Sequence, residues 1–399
     1  MRYYLSGTCV LKWLELPAVY DIDKDELYEL DGEAFGLLRR CAEPGGCAAG
    51  PEDREFIDYC LSEGILTSEV SSVKRPPLSR SPVPSLRYLE LQITDRCNLK
   101  CRHCYIDQPE HNELSIREIE KILNEFEELQ GLRLLITGGE PLAHSRFEEV
   151  NALLPGYRFR KILFTNGLLL NRKRLEALTM DEIQFSVDGL DHGHDALRGK
   201  GTWRMVMRKI EESLAAGIAV SVATMVHREN LDEFGEMEAL FKKIGIRDWT
   251  VDVPCITGHL KDNPLFQVRP DEAGGYLNYG FGGGLHGGGE GYACGLHLSS
   301  VLANGDICKC AFYAQSPAGT IKDGLRNCRA NIRPVRLDEL ECAGLSCRVI
   351  DSCRGGCRFR AERAPKGSCA EGAGNILGRD IYKCYGYGIM ELPGHEAQD

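Results

Sequence analysis

The spacing of hydrophobic residues along the chain predicts a central domain in which strands alternate with helices. Apolar runs that favour strands occur at residues 88–94, 132–137, 161–165, 182–187, 218–225 and 248–253. Between them, apolar residues recur at helical spacing. One helix opens at the capping box Ser115-Ile-Arg-Glu118 and stops at Gly131. Because parallel strands joined by helices cross over with one hand, this order predicts an α/β fold, a partial (β/α)6 barrel of TIM type over residues 87–256.

The remaining residues predict two smaller domains and two connecting segments. Residues 1–70 have strand-like runs at 3–5 and 10–16 and helical spacing at 33–40 and 53–62, which predicts a small α/β domain. Residues 71–86 are rich in proline and serine and form an extended linker. Residues 257–293 include a glycine-rich stretch and form a connector. Residues 294–390 predict a loop-rich domain with many cysteines.

Composition narrows the classes of protein that this chain can belong to. With 399 residues and 43% hydrophobic content, it can bury a core in two or three domains. The net charge of -11 argues against nucleic acid or an anionic membrane as a partner. The chain has neither a run of about 18 apolar residues nor a signal-peptide pattern, so we expect a cytoplasmic protein. Its 18 cysteines then predict metal or iron–sulfur ligation rather than disulfides.

Three cysteines directly after the first predicted barrel strand are candidate cluster ligands. Cys97, Cys101 and Cys104 have C-x3-C-x2-C spacing, which lets a short loop hold three thiolates on one face of a four-iron cluster. No fourth cysteine is near, so one iron would stay open for an exogenous ligand. Structural zinc usually has four closed ligands, so a zinc loop fits less well, as do a disulfide pair or buried thiols.

Glycine and polar residues follow the next three predicted strands. The segments are Gly138-Gly139-Glu140-Pro141, Thr165-Asn166-Gly167 and Ser186-Val187-Asp188-Gly189. Ligands of such sheets bind at the carboxyl ends of the strands. Glycines let backbone approach a ligand closely, and a carboxylate can bind an ammonium group. Turn formation alone is the alternative for the Asn-Gly and Asp-Gly pairs.

The cysteine loop and the Gly-Gly-Glu-Pro segment together resemble the radical S-adenosylmethionine (radical SAM) superfamily. The resemblance implies that Cys97, Cys101 and Cys104 hold a [4Fe–4S] cluster whose open iron binds S-adenosylmethionine (SAM). SAM cleavage would give a 5'-deoxyadenosyl radical that abstracts hydrogen from a substrate. Further residues are implied beside the cofactor: Gly138, Gly139 and Glu140 at its amino group, Asn166, Ser186 and Asp188 at its ribose, Met225 at its adenine, and His103 and Tyr105 packed or stacked next to the cluster. Family members usually have an aromatic residue where His103 stands.

The C-terminal cysteines resemble the SPASM extension of peptide-modifying radical SAM enzymes, which carries two auxiliary [4Fe–4S] clusters. The resemblance implies that the first is held by Cys294, Cys310 and Cys357, and the second by Cys342, Cys347, Cys353 and Cys384. Four residues separate Cys342 from Cys347 where the family usually has two. The fourth ligand of the first cluster stays undecided between three cysteines, which are Cys308, Cys328 and Cys369. Alternatively, that iron is left open for a substrate thiolate. One or two zinc sites are the rival interpretation.

Other cysteines and histidines receive no role at this stage. Cys255, after the last barrel strand, is interpreted as a small buried hydrophobic residue. The same holds for the cysteines of the N-terminal domain, which are Cys9, Cys41, Cys47 and Cys60. Three histidines outside the motifs, His227, His259 and His286, have no ligand spacing and are interpreted as ordinary polar residues.

The resemblance implies a maturase that oxidatively cross-links a ribosomally made peptide through a thioether or carbon–carbon bond. Residues 1–70 would be a winged-helix-like peptide-recognition domain. The partners would be a precursor peptide and an electron donor such as flavodoxin or ferredoxin, with no nucleic acid or membrane. One alternative resembles the anaerobic sulfatase maturases, which carry an aspartate where Ala311 stands. Another is a non-catalytic iron–sulfur or zinc scaffold that binds a peptide.

Overall fold

The structure is a computed structural model that describes residues 2–48, 50–71, 73–282, 289–363 and 378–389. Most of the glycine-rich stretch, with His286, and the candidate ligand Cys369 lie outside these residues. None of the described helices is both long enough and apolar enough to cross a bilayer.

The N-terminal unit is a small antiparallel sheet with two helices. Its strands are β1 (Tyr4–Leu5), β2 (Cys9–Trp13), β3 (Pro17–Asp21), β4 (Glu26–Glu29) and β5 (Leu66–Thr67), and its helices are α1 (Gly32–Cys41) and α2 (Arg54–Ser62). β2, β3 and β4 form one sheet, while β1 pairs with β5. Sequence analysis missed β3 and β4, because β4 alternates charged and apolar residues over only four positions.

Cys41 and Cys47 form a disulfide, which corrects our interpretation of both as ordinary residues. Cys41 is the last residue of α1. The backbone of Cys47 exchanges two hydrogen bonds, of 2.8 and 2.9 Å, with Tyr3, so the chain folds back and the two Cα atoms lie 4.7 Å apart. Cys9 and Cys60 are free and buried in the same core, as expected.

Six parallel strands form the centre of the molecule, as predicted. They are β6 (Tyr88–Thr94), β7 (Arg133–Gly138), β8 (Arg160–Thr165), β9 (Glu182–Ser186), β10 (Ala219–Met225) and β11 (Asp248–Asp252). Each pairs with the next along the chain. This order brings the carboxyl ends of all six strands to one edge of the sheet.

Helices cover the outer face of the barrel. They are α3 (Ile116–Glu128), α4 (Phe147–Leu153), α5 (Arg172–Ala177), α6 (Asp191–Arg198), α7 (Thr202–Ala215) and α8 (Phe234–Ile244). The predicted capping box begins α3: Glu118 Oε2 accepts from the Ser115 N–H at 2.8 Å, and Ser115 Oγ accepts from the Glu118 N–H at 3.3 Å. The apolar face of α3, including Ile122 and Phe126, is fully buried against the sheet.

The C-terminal part is irregular and extends the barrel sheet. Its elements are α9 (Pro270–Ala273), β12 (Leu298–Val301), β13 (Asp306–Cys308), β14 (Gly319–Thr320), α10 (Leu325–Ala330), α11 (Glu341–Gly344), α12 (Ile350–Cys353), α13 (Arg358–Arg363) and α14 (Ile381–Gly386). β12 runs parallel to β6, and β13 and β14 follow antiparallel, so the sheet has nine strands. The sequence did not predict this junction, which sets the C-terminal cysteines beside the barrel.

Candidate active site

The loop after β6 brings Cys97, Cys101 and Cys104 together at the carboxyl end of the sheet. The Cys97 thiol lies 3.9 Å from Nδ2 of Asn166, and the Cys101 thiol lies 3.9 Å from Nη1 of Arg198. Burial raises the pKa of Cys97 to about 12 and also raises the pKa of the other two thiols. Iron binds cysteine as thiolate, so these thiols would release their protons when a cluster is bound. Three neighbouring thiols with nearby cationic and amide donors suit the predicted cluster.

His259 holds the cysteine loop from a segment that follows β11. Its backbone N–H donates to the carbonyl of Cys104 at 2.9 Å, and its ring Nδ1 lies 3.1 Å from the carbonyl oxygen of Cys101. We had given this histidine no role. His259 belongs to no recognisable sequence motif, so only the fold reveals that it positions the cysteine loop.

Gly138 and Gly139 make room for the cysteine loop. A Cβ atom on Gly139 would lie 2.5 Å from the carbonyl oxygens of Asp95 and Arg96, and one on Gly138 would lie 2.2 Å from that of Thr94. Contacts this short are forbidden between a side chain and backbone. The close approach inferred from the sequence is therefore real, but it involves the chain's own loop.

Glu140 is buried, with 1% of its surface exposed, and its carboxylate accepts three hydrogen bonds. The donors are Leu142 N at 3.1 Å, Thr165 Oγ1 at 2.7 Å and Asn166 N at 2.8 Å. Burial raises the pKa of Glu140, and these hydrogen bonds oppose that rise. A carboxylate has about four acceptor positions, so one is left for a ligand such as an ammonium group.

Asp188 is fully buried and forms an ion pair with the partly exposed Arg198. Their Oδ2 and Nε atoms are 2.5 Å apart, while Oδ1 of Asp188 accepts from the Met225 N–H at 2.7 Å. Burial alone would raise the pKa of Asp188, but the charge of Arg198 and the hydrogen bond from the Met225 N–H outweigh it and hold the pKa far below its usual range. Asp188 thus positions Arg198 beside Cys101. Sequence analysis missed Arg198, which lies at the end of α6 in no recognisable motif.

His227 lies behind this ion pair. It is fully buried, and its Nε2 is 2.8 Å from the backbone oxygen of Asp188. We had interpreted it as an ordinary polar residue, and its contact is indeed structural. It fixes the turn that carries Asp188.

His103 and Tyr105 border the site in different ways. Burial lowers the pKa of His103 to about 3, so its imidazole is neutral, and its Nδ1 is buried with no hydrogen-bond partner among the described residues. The Tyr105 hydroxyl accepts from Nε2 of Gln92 at 2.8 Å. The Tyr105 ring lies 5.3 Å from that of Phe312 and so contacts the C-terminal part.

A cavity of about 290 Å³ lies between the cysteine loop and the strand ends. It is lined by the residues predicted to hold the cluster and SAM: Cys97, Cys101, Cys104, His103, Tyr105, Gly138, Gly139, Glu140, Asn166, Ser186, Asp188 and Met225. Arg198, Gln184, Cys255 and Phe312 also line it, and none of them was predicted. The fold therefore brings together residues that are far apart in the chain around one cavity.

A first group of C-terminal thiols lies next to this cavity. The Cys357 thiol is close enough to raise the pKa of Cys294, and Cys294 and Cys357 both raise the pKa of Cys310. Cys294 also accepts a hydrogen bond from the backbone N–H of Arg358. Cys308 instead packs against Leu302 and Ala311.

A second group comprises Cys342, Cys347, Cys353 and Cys384. Charge interactions link Cys342 to Cys347, and link Cys384 to both Cys342 and Cys353. Cys342 therefore lies with its predicted partners despite its unusual spacing. Within the described parts of the chain, no three His, Cys, Asp or Glu side chains converge tightly enough to hold a single metal ion. A four-iron cluster binds each thiolate through a different iron and accepts a wider arrangement.

Residues 91–241 match the family model described as the Radical SAM superfamily. This part of the chain is a radical SAM domain. The predicted resemblance to radical SAM proteins is confirmed for these residues, and the family implies a [4Fe–4S] cluster and SAM.

Curated relatives of the radical SAM domain include enzymes of different named activities. An AdoMet-dependent heme synthase from Oleidesulfovibrio alaskensis is 29% identical over 204 residues, covering 49% of this chain and 53% of that protein. The mycofactocin maturase MftC of Mycobacterium tuberculosis is 28% identical over 317 residues, covering 67% and 77%. The chain spans about half the length of the first curated relatives that it matches.

Among solved structures, SuiB of Streptococcus suis bound to its precursor peptide SuiA is similar along nearly the whole chain. The match has a TM-score of 0.69 at 15% identity and covers 96% of this chain and 100% of SuiB. At this identity the likeness shows the fold. It confirms the partial barrel.

Proposed function

We propose that this chain is a radical SAM maturase that oxidatively modifies a ribosomally made precursor peptide. The observation that carries the proposal is the cavity at the strand ends, where three cysteine thiols, the Glu140 carboxylate and the polar ends of β8 and β9 meet. SuiB and MftC are named for peptide substrates or maturation, and this supports a peptide as the substrate.

The cofactor-binding roles follow from the chemistry of the cavity. Cys97, Cys101 and Cys104 would hold the [4Fe–4S] cluster, and Glu140 would accept hydrogen bonds from the amino group of SAM. Asn166, Ser186 and Asp188 are proposed near the ribose, although Asp188 already uses both oxygens with Arg198 and Met225. When bound, the cluster and SAM supply a 5'-deoxyadenosyl radical that abstracts hydrogen from the substrate.

The chain's own residues would position the reactants and limit side reactions. Arg198 places positive charge beside the Cys101 thiol, which favours the thiolate form of that ligand. Tyr105 and Phe312 close one side of the cavity and would exclude water from it. The neutral His103 leaves one buried ring nitrogen for a polar group of the ligand.

Two auxiliary clusters are part of the proposal. Cys294, Cys310 and Cys357 would hold the first, and Cys342, Cys347, Cys353 and Cys384 the second. The first group lies beside the cavity. This position suits a cluster that takes an electron from the substrate radical. A flavodoxin- or ferredoxin-like protein is the proposed electron donor.

Cleavage of SAM in oxygen-free, reconstituted protein tests the proposal. With a reductant, the wild-type chain should form 5'-deoxyadenosine, and a Cys97→Ala, Cys101→Ala, Cys104→Ala variant should form none while keeping the iron of the C-terminal part. Cys60→Ala, a buried cysteine of the N-terminal unit, is the matched control and should behave like the wild type. Cleavage that survives the triple substitution would refute the assignment.

A further inference from the structure

Cys255 contacts the first group of C-terminal cysteines. The thiol of Cys255 donates a hydrogen bond to the sulfur of Cys357. Cys294 and Cys310 in turn interact with Cys357. Four cysteines from four separate segments therefore meet, although Cys255 belongs to the barrel and the other three to the C-terminal part.

A buried arginine holds this meeting point together. Nη1 of Arg360 donates to the carbonyl of Val253 at 2.5 Å and to Oδ1 of Asp252 at 2.8 Å, at the end of β11. Nη2 of the same residue donates to Oδ2 of Asp380 at 2.8 Å, which also accepts from the Cys357 N–H at 2.8 Å. The segment that carries Cys255 is thus fastened to the start of α13, directly after Cys357.

The other described candidates for a fourth ligand lie elsewhere. Cys328 is fully buried in the core of the barrel, and its thiol donates to the carbonyl of Thr320 at 3.5 Å. Cys308 is fully buried beside Leu302 and Ala311. Either would have to leave an apolar site to reach Cys357.

We infer that Cys255 is the fourth thiolate ligand of the first auxiliary cluster, beside Cys294, Cys310 and Cys357. The inference rests on the proposed function, because it presumes that this cluster is present. It corrects our interpretation of Cys255 as a small hydrophobic residue, and it replaces the open iron that the sequence had allowed. The cluster would be closed by four cysteines and would tie the last barrel strand to the C-terminal part.

A cluster with four cysteine ligands limits how the substrate can interact with it. Cys255 also lines the cavity, so the cluster would form part of the cavity wall. With all four irons ligated by cysteine, the substrate could not bind to this cluster through a thiolate. The cluster would act on the substrate only by electron transfer.

The test uses the full-length chain carrying Cys97→Ala, Cys101→Ala and Cys104→Ala, which isolates the auxiliary clusters. In this background, Cys255→Ala should expose one iron. The EPR spectrum of the reduced protein should then change on addition of 2-mercaptoethanol, or the iron content should fall by up to about four atoms per chain. With Cys255 in place, the same thiol should leave the spectrum unchanged. Cys308→Ala is the matched control and should match the background in both measurements.

The outcomes separate this inference from the proposed function. If the auxiliary clusters form and Cys255→Ala changes neither iron content nor the response to thiol, Cys255 is not a ligand. A loss of iron in Cys308→Ala instead would assign the position to Cys308. If the background chain binds no iron, the auxiliary clusters themselves are refuted. Because Cys255→Ala could also loosen the fold, Cys255→Ser serves as a second variant: it should retain the cluster with an altered EPR spectrum, and an unaltered spectrum would overturn the inference.

Discussion

Glu90 is a partly buried ionisable residue in the middle of β6. Its carboxyl accepts hydrogen bonds from the hydroxyl of Ser300, its register partner on β12, and from the Ala311 N–H at 3.2 Å. Burial raises the pKa of Glu90 more than these hydrogen bonds lower it.

The raised pKa of Glu90 predicts a pH-dependent stability. Above the usual carboxyl pKa the unfolded chain has lost this proton while the folded chain keeps it, so stability falls as pH rises toward the folded pKa. Glu90→Gln should remove this contribution and flatten the decline above the usual carboxyl pKa of about 4.3 by up to about 1.4 kcal/mol per pH unit. Urea unfolding at several pH values measures it.

The control for this measurement is Glu120→Gln, on the exposed face of α3. It should leave the pH profile unchanged. Equal slopes for the wild type and Glu90→Gln would show that Glu90 is ionised in the folded protein.

At the level of elements, the site depends on two loops that pack against each other, the cysteine loop after β6 and the loop after β7. The loop after β7 passes under the cysteine loop, and the Gly139 N–H donates to the carbonyl of Thr94 at 2.9 Å while the Glu140 N–H donates to that of Arg96 at 2.8 Å. The position of the cysteines therefore depends on the absence of a side chain at Gly139.

Gly139→Ala should displace the cysteine loop. The added methyl group would lie 2.5 Å from two backbone oxygens, and a shift of about 1 Å at a catalytic site typically costs about 100-fold in rate. We expect a loss of that order in SAM cleavage and a weaker spectral response of the cluster to SAM. In Gly156→Ala, where a Cβ meets no atom within 4 Å, both should be unchanged. Normal cleavage by Gly139→Ala would mean that the loops can separate.

The elements of the barrel could be predicted because each carries its own periodic pattern. The predicted strand at residues 88–94 has the same bounds as β6, and the Ser115 capping box gives the start of α3. The motif residues of the site were also found, since they follow strands whose carboxyl ends share an edge. Arg198, His259 and Cys255 could not be found, because each acts through a contact between distant segments that no local spacing records.

At the scale of the whole molecule, the N-terminal unit is docked on the amino-end side of the barrel sheet. The Asp25 carboxylate pairs with Arg133 of β7 at 2.8 Å and with Arg160 of β8 at 3.4 Å. Nζ of Lys12 donates to the carbonyl of Gly131 at 2.7 Å. Removal of residues 1–70 would therefore expose buried charges of the barrel in addition to removing a proposed peptide-binding domain.

Asp25→Asn separates the contribution of the N-terminal unit to stability from its proposed contribution to peptide binding. The substitution keeps the size of the side chain and tolerates the positive φ of 63° at this position, but it removes the charge that offsets two buried guanidinium groups. Breaking a buried ion pair in this way typically costs about 3–5 kcal/mol in the free energy of unfolding. Asp58→Asn, in an exposed pair on α2, should cost less than about 1 kcal/mol. If the N-terminal unit also binds the precursor peptide, Asp25→Asn should lower the free energy of unfolding but leave peptide affinity nearly unchanged below the unfolding temperature. Equal unfolding free energies for Asp25→Asn and Asp58→Asn would show that the domain interface contributes little to the stability of the barrel.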